Sequence, residues 1–215
     1  MVGWSRPPPD VPAAAIIESW LPRAFAAAPR RPPPDSPSVR VTLFGQGGGT
    51  WDLCVTEEAL IARHRDPRSG HGLFSHDDDP DIWLRQSVAD FLALFRDDPD
   101  LPALLPPDAG VMDLLCVDEG RVGLLGQIDG RIGVEIQGRR RRRWALDAAF
   151  GPTGMRAGRP RSTVRVDSRT CEELSSGTLA PLQALLAGRL QVEGDRALVM
   201  QMAMLVGSVR RDRAF

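Results

Sequence analysis

Along the last third of the chain the apolar spacing changes from helical to alternating and back. In Gly177–Asp195 (GTLAPLQALLAGRLQVEGD), Leu182, Leu185 and Leu186 share one helical stripe. Thr178 is placed to cap that helix, and Pro181 falls in its first turn, where a missing N–H is harmless. Gly188 stops it, because glycine takes the left-handed conformation cheaply. Leu190 and Val192 then alternate with Gln191 and Glu193, which predicts a short half-buried strand. Glu193-Gly194-Asp195 turns the chain into a last helix over 195–209. That helix carries Leu198, Met202, Leu205 and Val209 on one face, with Val199 and Val206 beside them.

Upstream, Ile17, Trp20, Leu21 and Phe25 predict a helix within 11–28, kinked or split at Pro22. The stretch 30–37 (RRPPPDSP) reads as a stiff linker to the first strand. Val39, Val41 and Leu43, a glycine-rich tip, then Trp51, Leu53 and Val55 predict a β-hairpin. No helix bearing Lys-Ser/Thr follows that tip, so it does not read as a phosphate loop. Residues 56–81 read as irregular, Ile82–Leu84 as a strand, and Ser87-x-x-Asp90 as a capping box before Val88, Phe91, Leu92 and Phe95. A single helical turn is expected around 101–105, and 111–117 is apolar without a decisive period. A second hairpin is predicted from Val134 through Leu146, a basic loop over 151–161, a strand at Val164 and Val166, and a helix capped by Thr170-x-x-Glu173.

The two hairpins match each other. Val41-x-Leu-x-Gly45, five residues and Trp51-x-Leu53 align without gaps on Val134-x-Ile-x-Gly138, five residues and Trp144-x-Leu146, at an offset of 93. Ile82, Leu84, Asp90 and Leu92 align on Val164, Val166, Glu172 and Leu174 at an offset of 82. The chain therefore reads as two copies of one unit, residues 11–110 and 111–215, behind a loose tail at 1–10.

Gly177, Pro181, Gly188, Leu190, Val192, Gly194 and Asp195, taken in order, resemble the C-terminal half of the sterol-carrier-protein type 2 (lipid-transfer) domain family. That half holds a glycine, a short helix through Pro, a Gly-basic-Leu-x-Val-x-Gly-Asp strand and turn, and an apolar helix. The resemblance implies an α+β fold: tandem or duplicated sterol-carrier-like units, each a twisted, mainly antiparallel sheet covered by helices. It also implies a non-catalytic function, the binding or transfer of a fatty acid, fatty acyl or sterol-like lipid in an apolar cavity closed by the last helix. The candidate lining residues are Leu182, Leu185, Leu198, Met202 and Leu205, with Trp144 and Val166 from the sheet. Unbranched methionine suits such a wall because it adapts to varied ligands. The first copy lacks a clean Gly-basic-Leu-x-Val-x-Gly-Asp segment, which leaves it the role of a scaffold. The alternative is an interaction module with the same fold and a cavity filled by side chains, expected to bind a partner or form a homodimer.

Composition narrows the chemistry further. All 27 basic residues are arginine, so Schiff-base catalysis and Walker-type phosphate loops are excluded. Residues 1–107 carry 10 arginines against 15 acids, and residues 108–215 carry 17 against 13. Cys54, Cys116 and Cys171 are scattered, with no C-x-x-C pair, and read as thiols in a reducing, cytoplasmic setting. No signal peptide or membrane-length apolar run is visible. His64, His71 and His76 with Asp77, Asp78 and Asp79 form the one metal-like grouping, but their spacing fits neither a helix nor a strand face; a solvated loop is the plainer reading. Catalytic elbows and dinucleotide fingerprints are missing, so no enzyme activity or cofactor is expected. Arg139, Arg140, Arg141, Arg142 and Arg143 sit at the second hairpin's tip, as a solvated turn or as a dock for an anionic membrane surface. Nucleic acid is disfavoured, because no aromatic residues interleave the run.

Overall fold

Alternation in Val39, Val41 and Leu43 against Arg40, Thr42 and Phe44 produces β1 (Val39–Phe44), which turns through Gly45 and Gly47 into β2 (Gly49–Val55). The computed structural model describes residues 6–28, 36–56, 58–66, 79–104, 125–156 and 158–211, the last seven by backbone alone. They fall into two compact units, one running to residue 96 and one comprising 97–104 and 125–211. The expected copy boundary at 110–111 and the apolar stretch 111–117 lie outside the described residues, as does most of the proline linker.

In the first unit the strand order is β3-β2-β1-β4. β1 and β2 are antiparallel with Val41 opposite Trp51, and β4 (Ile82–Ser87) lies parallel to β1 with Leu84 beside Val41. β3 (Leu60–His64) pairs antiparallel with β2, which corrects the irregular reading of 56–81. Its alternation is short and ends on polar residues. Leu60 and Ala62 share the core side with Val55 and Leu53, while Ile61 is 40% exposed. The N-terminal helix forms as α1 (Ala13–Ala15), a π turn (Ile16–Trp20) and α2 (Leu21–Ala26). The wide turn closes by a bond from the Leu21 N–H to the Ile16 carbonyl, directly before Pro22, whose ring crowds the carbonyl four residues back. Ile16, Ile17, Phe25 and Trp51 are the innermost side chains of this core. The buried Trp51 indole N–H is satisfied by Glu18 Oε1 at 2.7 Å. Ser87 caps α3 (Val88–Ala93) by accepting from the Asp90 N–H at 3.0 Å, as its motif predicts.

The second unit repeats that core arrangement. β5 (Gly130–Gln137) and β6 (Arg143–Phe150) form an antiparallel hairpin, and β7 (Ser162–Asp167) lies parallel to β5. β8 (Gln191–Gly194) adds antiparallel to β7, one residue later than the predicted Leu190 start. The order is β6-β5-β7-β8. The helices are α4 (Gly151–Met155), α5 (Ser168–Ser175), α6 (Pro181–Leu186) and α7 (Arg196–Arg211).

Three local expectations change here. α4 stands where a loop was predicted, because Asp129, 24 residues back, accepts from the Thr153 N–H and hydroxyl at 2.7 Å each. α5 is capped by Asp167 rather than by Thr170, whose own N–H and hydroxyl donate to Asp167. No helical turn forms over the described residues 101–104. The fold is α+β in both units, and no described helix is long and apolar enough to cross a membrane.

Candidate functional site

The register of the second unit sorts its sheet into two unlike faces. Trp144, Ile136 and Val166 lie side by side in one row, and Leu146, Val134, Val164 and Val192 in the next. In-register neighbours point the same way, so these residues make a continuous apolar face. The other face is ionic: Glu135 accepts from Arg165 at 2.9 Å and Arg143 at 3.2 Å, and Arg165 also meets Glu193 at 2.9 Å. Partial burial pushes the Glu135 carboxyl upward, but hydrogen bonds from Arg165 and Arg143 outweigh it and leave the pKa lowered.

The Gly177–Asp195 stretch folds as its pattern demands, for reasons now visible atom by atom. Gly177 takes φ +78° just past α5. Pro181 opens α6, but the residue before that helix is Ala180, with no side-chain cap. Thr178, expected there, instead donates its hydroxyl to the Glu173 carbonyl and so finishes α5. Gly188 takes φ +69°, and the bonds Gly188 N–H to Leu185 and Arg189 N–H to Ala184 close a Schellman turn. Gly194 takes φ +92°, where a Cβ would stand 2.1 Å from the Arg161 carbonyl oxygen. Asp195 then caps α7 by accepting from the Ala197 and Leu198 N–H groups at 2.9 and 3.2 Å, and binds Arg161 at 2.6 Å.

This corner packs α6 against α7, and α7 against the sheet. Of the expected lining residues, Trp144, Val166 and Leu198 are buried, at 5%, 6% and 3% exposure. Leu182 and Leu185 on α6 and Met202 on α7 are half-buried; the Leu205 side chain lies outside the description. Leu198 packs so near Gly130 that a Cβ there would meet its Cδ2 at 2.9 Å. Ala184, with no exposure, and Val199 and Ala203 are buried in α6 and α7 as well. Sequence periodicity placed Val199 beside the apolar stripe but missed Ala184 and Ala203, since alanine carries little weight in such a stripe. Leu186 points outward at 72% exposure, and Met204 at 51%.

A cleft of about 470 Å³ opens where β7 runs into α5 and α6 runs toward β8. It is lined by Asp167, Arg169, Thr170, Gly188, Arg189 and Gln191, none of which was expected to line a site. Its charges are matched internally. Glu173 is bridged to Arg189 and, at 3.2 Å, to Arg169, while Arg189 also donates to Thr170 Oγ1 at 3.1 Å. The Arg189 hydrogen bond holds the Glu173 carboxyl below its usual pKa, and the Thr170 N–H does the same for Asp167. The basic residue of the Gly-basic-Leu pattern is thus a brace between α5 and the α6–β8 turn.

Elsewhere the candidate chemistry thins out. His64 sits in β3 with its ring edge-on to Trp51 at 5.3 Å; His71, His76, Asp77 and Asp78 lie outside the described residues. Among the described residues no three His, Cys, Asp or Glu groups are placed to hold a metal. Burial pushes the Cys171 thiol up to about 11. Arg139–Arg143 do occupy the β5–β6 tip, as a 3-10 turn over Arg139–Arg141 and the two residues after it.

Residues 114–207 match the SCP-2 sterol transfer family, so the resemblance read from 177–195 extends through the second unit's sheet and helices. No curated protein matches the chain. Among solved structures, sterol carrier protein 2 from Yarrowia lipolytica in its apo form is 12% identical, covering 43% of this chain and 77% of its own, with a TM-score of 0.31. Palmitated sterol carrier protein 2-like 2 from Aedes aegypti is 22% identical over 37% and 73%, with a TM-score of 0.30. A UbiJ-SCP2 ubiquinone synthesis protein is 12% identical over 92% and 95%, with a TM-score of 0.26. Likenesses of that size decide nothing about this chain's ligand.

Proposed function

Taking the family match of residues 114–207 as premise, we propose that the second unit binds or transfers a hydrophobic ligand, a fatty acid, fatty acyl or sterol-like lipid, without catalysing a reaction on it. The match carries the reading. The residues that gave the resemblance are those that bend α6, β8 and α7 into place next to an apolar sheet face. We place the ligand between that face and the two helices, against Trp144, Val166, Leu182, Leu185, Leu198 and Met202, with Leu205 further along α7. Each methylene taken from water is worth about 0.8 kcal/mol, so an alkyl chain needs no polar anchor to bind well. The first unit, with the same hairpin and parallel strand, is proposed as a duplicated copy kept as scaffold. The protein is proposed to work in the cytoplasm and to meet an anionic membrane through the arginine-rich β5–β6 tip.

The test is native mass spectrometry of the purified chain with a fluorescent fatty-acid titration. Co-purified lipid or saturable binding, lost in Leu198→Glu at unchanged secondary structure, is the expected result; neither lipid nor saturation ends the proposal. A second reading, the same fold as an interaction module, draws on the deep burial of Trp144, Val166 and Leu198 and on the polar character of the 470 Å³ cleft. It expects a partner or homodimer and no lipid. Size exclusion with light scattering, alongside the titration, separates the two.

A further inference from the structure

The five arginines at the β5–β6 tip are not equivalent. Arg143 opens β6 and pairs with Glu135 at 3.2 Å, and Arg142 pairs with Asp98 at 3.2 Å. The Arg139 N–H donates to the Asp100 carbonyl at 2.6 Å, fastening the base of the turn to segment 97–104. Gly138 belongs to this brace, since a Cβ there would stand 2.2 Å from the Asp100 carbonyl oxygen. Arg139, Arg140 and Arg141 then form the exposed end of the turn. Arg140 is 85% exposed and reaches Asp100 only at 3.8 Å.

Arg140 and Arg141 take φ +48° and +64°, the left-handed region that L residues with long side chains avoid. A turn that had only to reverse the chain would be more stable with glycine or asparagine at both places. Arginine therefore stands there against the backbone's preference, and strain of this kind points to work done by the side chains. The form of the tip selects the partner. It is a hairpin tip with three exposed arginines on a base pinned to Asp98 and Asp100, which suits a flat, densely anionic surface better than a groove. The aromatic residue that follows, Trp144, is 5% exposed and offers no face for a base to stack on.

We propose that Arg139, Arg140 and Arg141 dock the protein on an anionic phospholipid bilayer, while Arg142 and Arg143 hold the hairpin in shape. The docking rests on the carrier reading only in that a carrier must meet a bilayer to load. Its test uses no cargo: sedimentation of the full chain with vesicles of phosphatidylcholine alone and with 30% phosphatidylserine. At near-physiological salt the wild type binds the anionic vesicles, and added sodium chloride releases it. Each outward arginine contributes about fivefold near such a surface, so R139Q/R140Q/R141Q binds about 150-fold more weakly. R140G/R141G binds about 30-fold more weakly and melts at a higher temperature, a pairing that a purely structural role would not produce.

Equal binding to both vesicle types, or variants that sediment like the wild type, overturns the proposal. So does tight binding to single-stranded RNA without preference for anionic vesicles, or a melting temperature that R140G/R141G leaves unchanged or lowers. Fatty-acid titration of the triple variant keeps the two readings apart: cargo binding stays at wild-type strength if only docking is lost. Vesicle binding without any cargo binding sinks the carrier reading and leaves the dock.

Discussion

Gly194→Ala tests the corner on which α7 is mounted. The new Cβ would stand 2.1 Å from the Arg161 carbonyl oxygen and 3.2 Å from Ser162 Cα, so backbone and not a flexible side chain must yield. A φ of +92° adds strain of about 1–2 kcal/mol for any L side chain. Moving the Arg161 carbonyl weakens its 3.2 Å bond from the Asp195 N–H, worth about 1 kcal/mol net. It also drags the Asp195 cap off the Ala197 and Leu198 N–H groups, about another 1 kcal/mol. The half-exposed Arg161–Asp195 pair adds little. The total is on the order of 3–4 kcal/mol, placed on β8 and α7 alone.

Amide hydrogen exchange read by peptide is the fitting assay, because it separates the two units where a bulk melt would not. Protection across 191–204 is expected to fall by two to three orders of magnitude, with β1 and β2 unchanged. Gly188→Ala is the control. Its φ of +69° carries similar strain, but its Cβ would meet nothing within 4 Å, so about 1 kcal/mol is expected. Equal losses in the two variants, or a loss in Gly194→Ala below tenfold, would refute the contact argument.

Four further outcomes follow from local contacts. Asp52 has no exposed side-chain surface and sits between Arg40 at 2.8 Å and Arg65 at 3.4 Å; Asp52→Asn removes the buried carboxylate charge that both ion pairs share and should cost about 3 kcal/mol by urea titration. Asp167→Ala removes the α5 cap and should cost about 1 kcal/mol. Asp167 and Glu173 are held below their ordinary values of 3.8 and 4.5, so their stabilisation is complete above about pH 4.5 and is lost as pH falls through the lower folded values. The acid limb of a stability–pH curve should therefore be shallower in Asp167→Ala. Cys171, pushed up to about 11, should resist iodoacetamide in the native chain at pH 8 and react once unfolded, as peptide mass mapping would record.

What the sequence announced was whatever a few neighbouring residues decide. Both hairpins, the Ser87 cap, the stop at Gly188 and the Gly194–Asp195 turn rest on alternation, left-handed glycine or a side chain reaching three residues ahead. What it hid depends on contacts distant in the chain. α4 exists because Asp129 reaches Thr153, and segment 97–104 joins the second unit because Asp98 and Asp100 meet the arginine tip. The Arg189–Glu173 brace spans 16 residues and two elements, and nothing in its local spacing marks it. Thr178 failed as a cap because its hydroxyl completes the preceding helix at Glu173, and Thr170 because Asp167, three residues earlier, already caps α5.

The two matching hairpins are where pattern and pairing differ most instructively. A gapless match puts Val41 on Val134 and Trp51 on Trp144 together, yet Val41 faces Trp51 while Val134 faces Leu146 and Trp144 faces Ile136. If the tryptophans correspond, β1 aligns on β5 at an offset of 95, and β4 on β7 at 82, since Leu84 lies beside Val41 and Val166 beside Ile136. The helix caps then disagree: Ser87 and Asp167 are 80 apart. If the caps correspond, β1 and β5 return to 93, and Trp51 falls on Leu146. Each choice leaves one element out by two residues and never by one. Two is the period of a strand, so the slip preserves which side chains face the core and which face out. A single-residue slip would have turned Trp51 or Trp144, both at least 95% buried, onto the polar face. Sequence matching could not detect the slip, because both alignments satisfy the same hydrophobic alternation; only the hydrogen-bonded partner across the sheet distinguishes them.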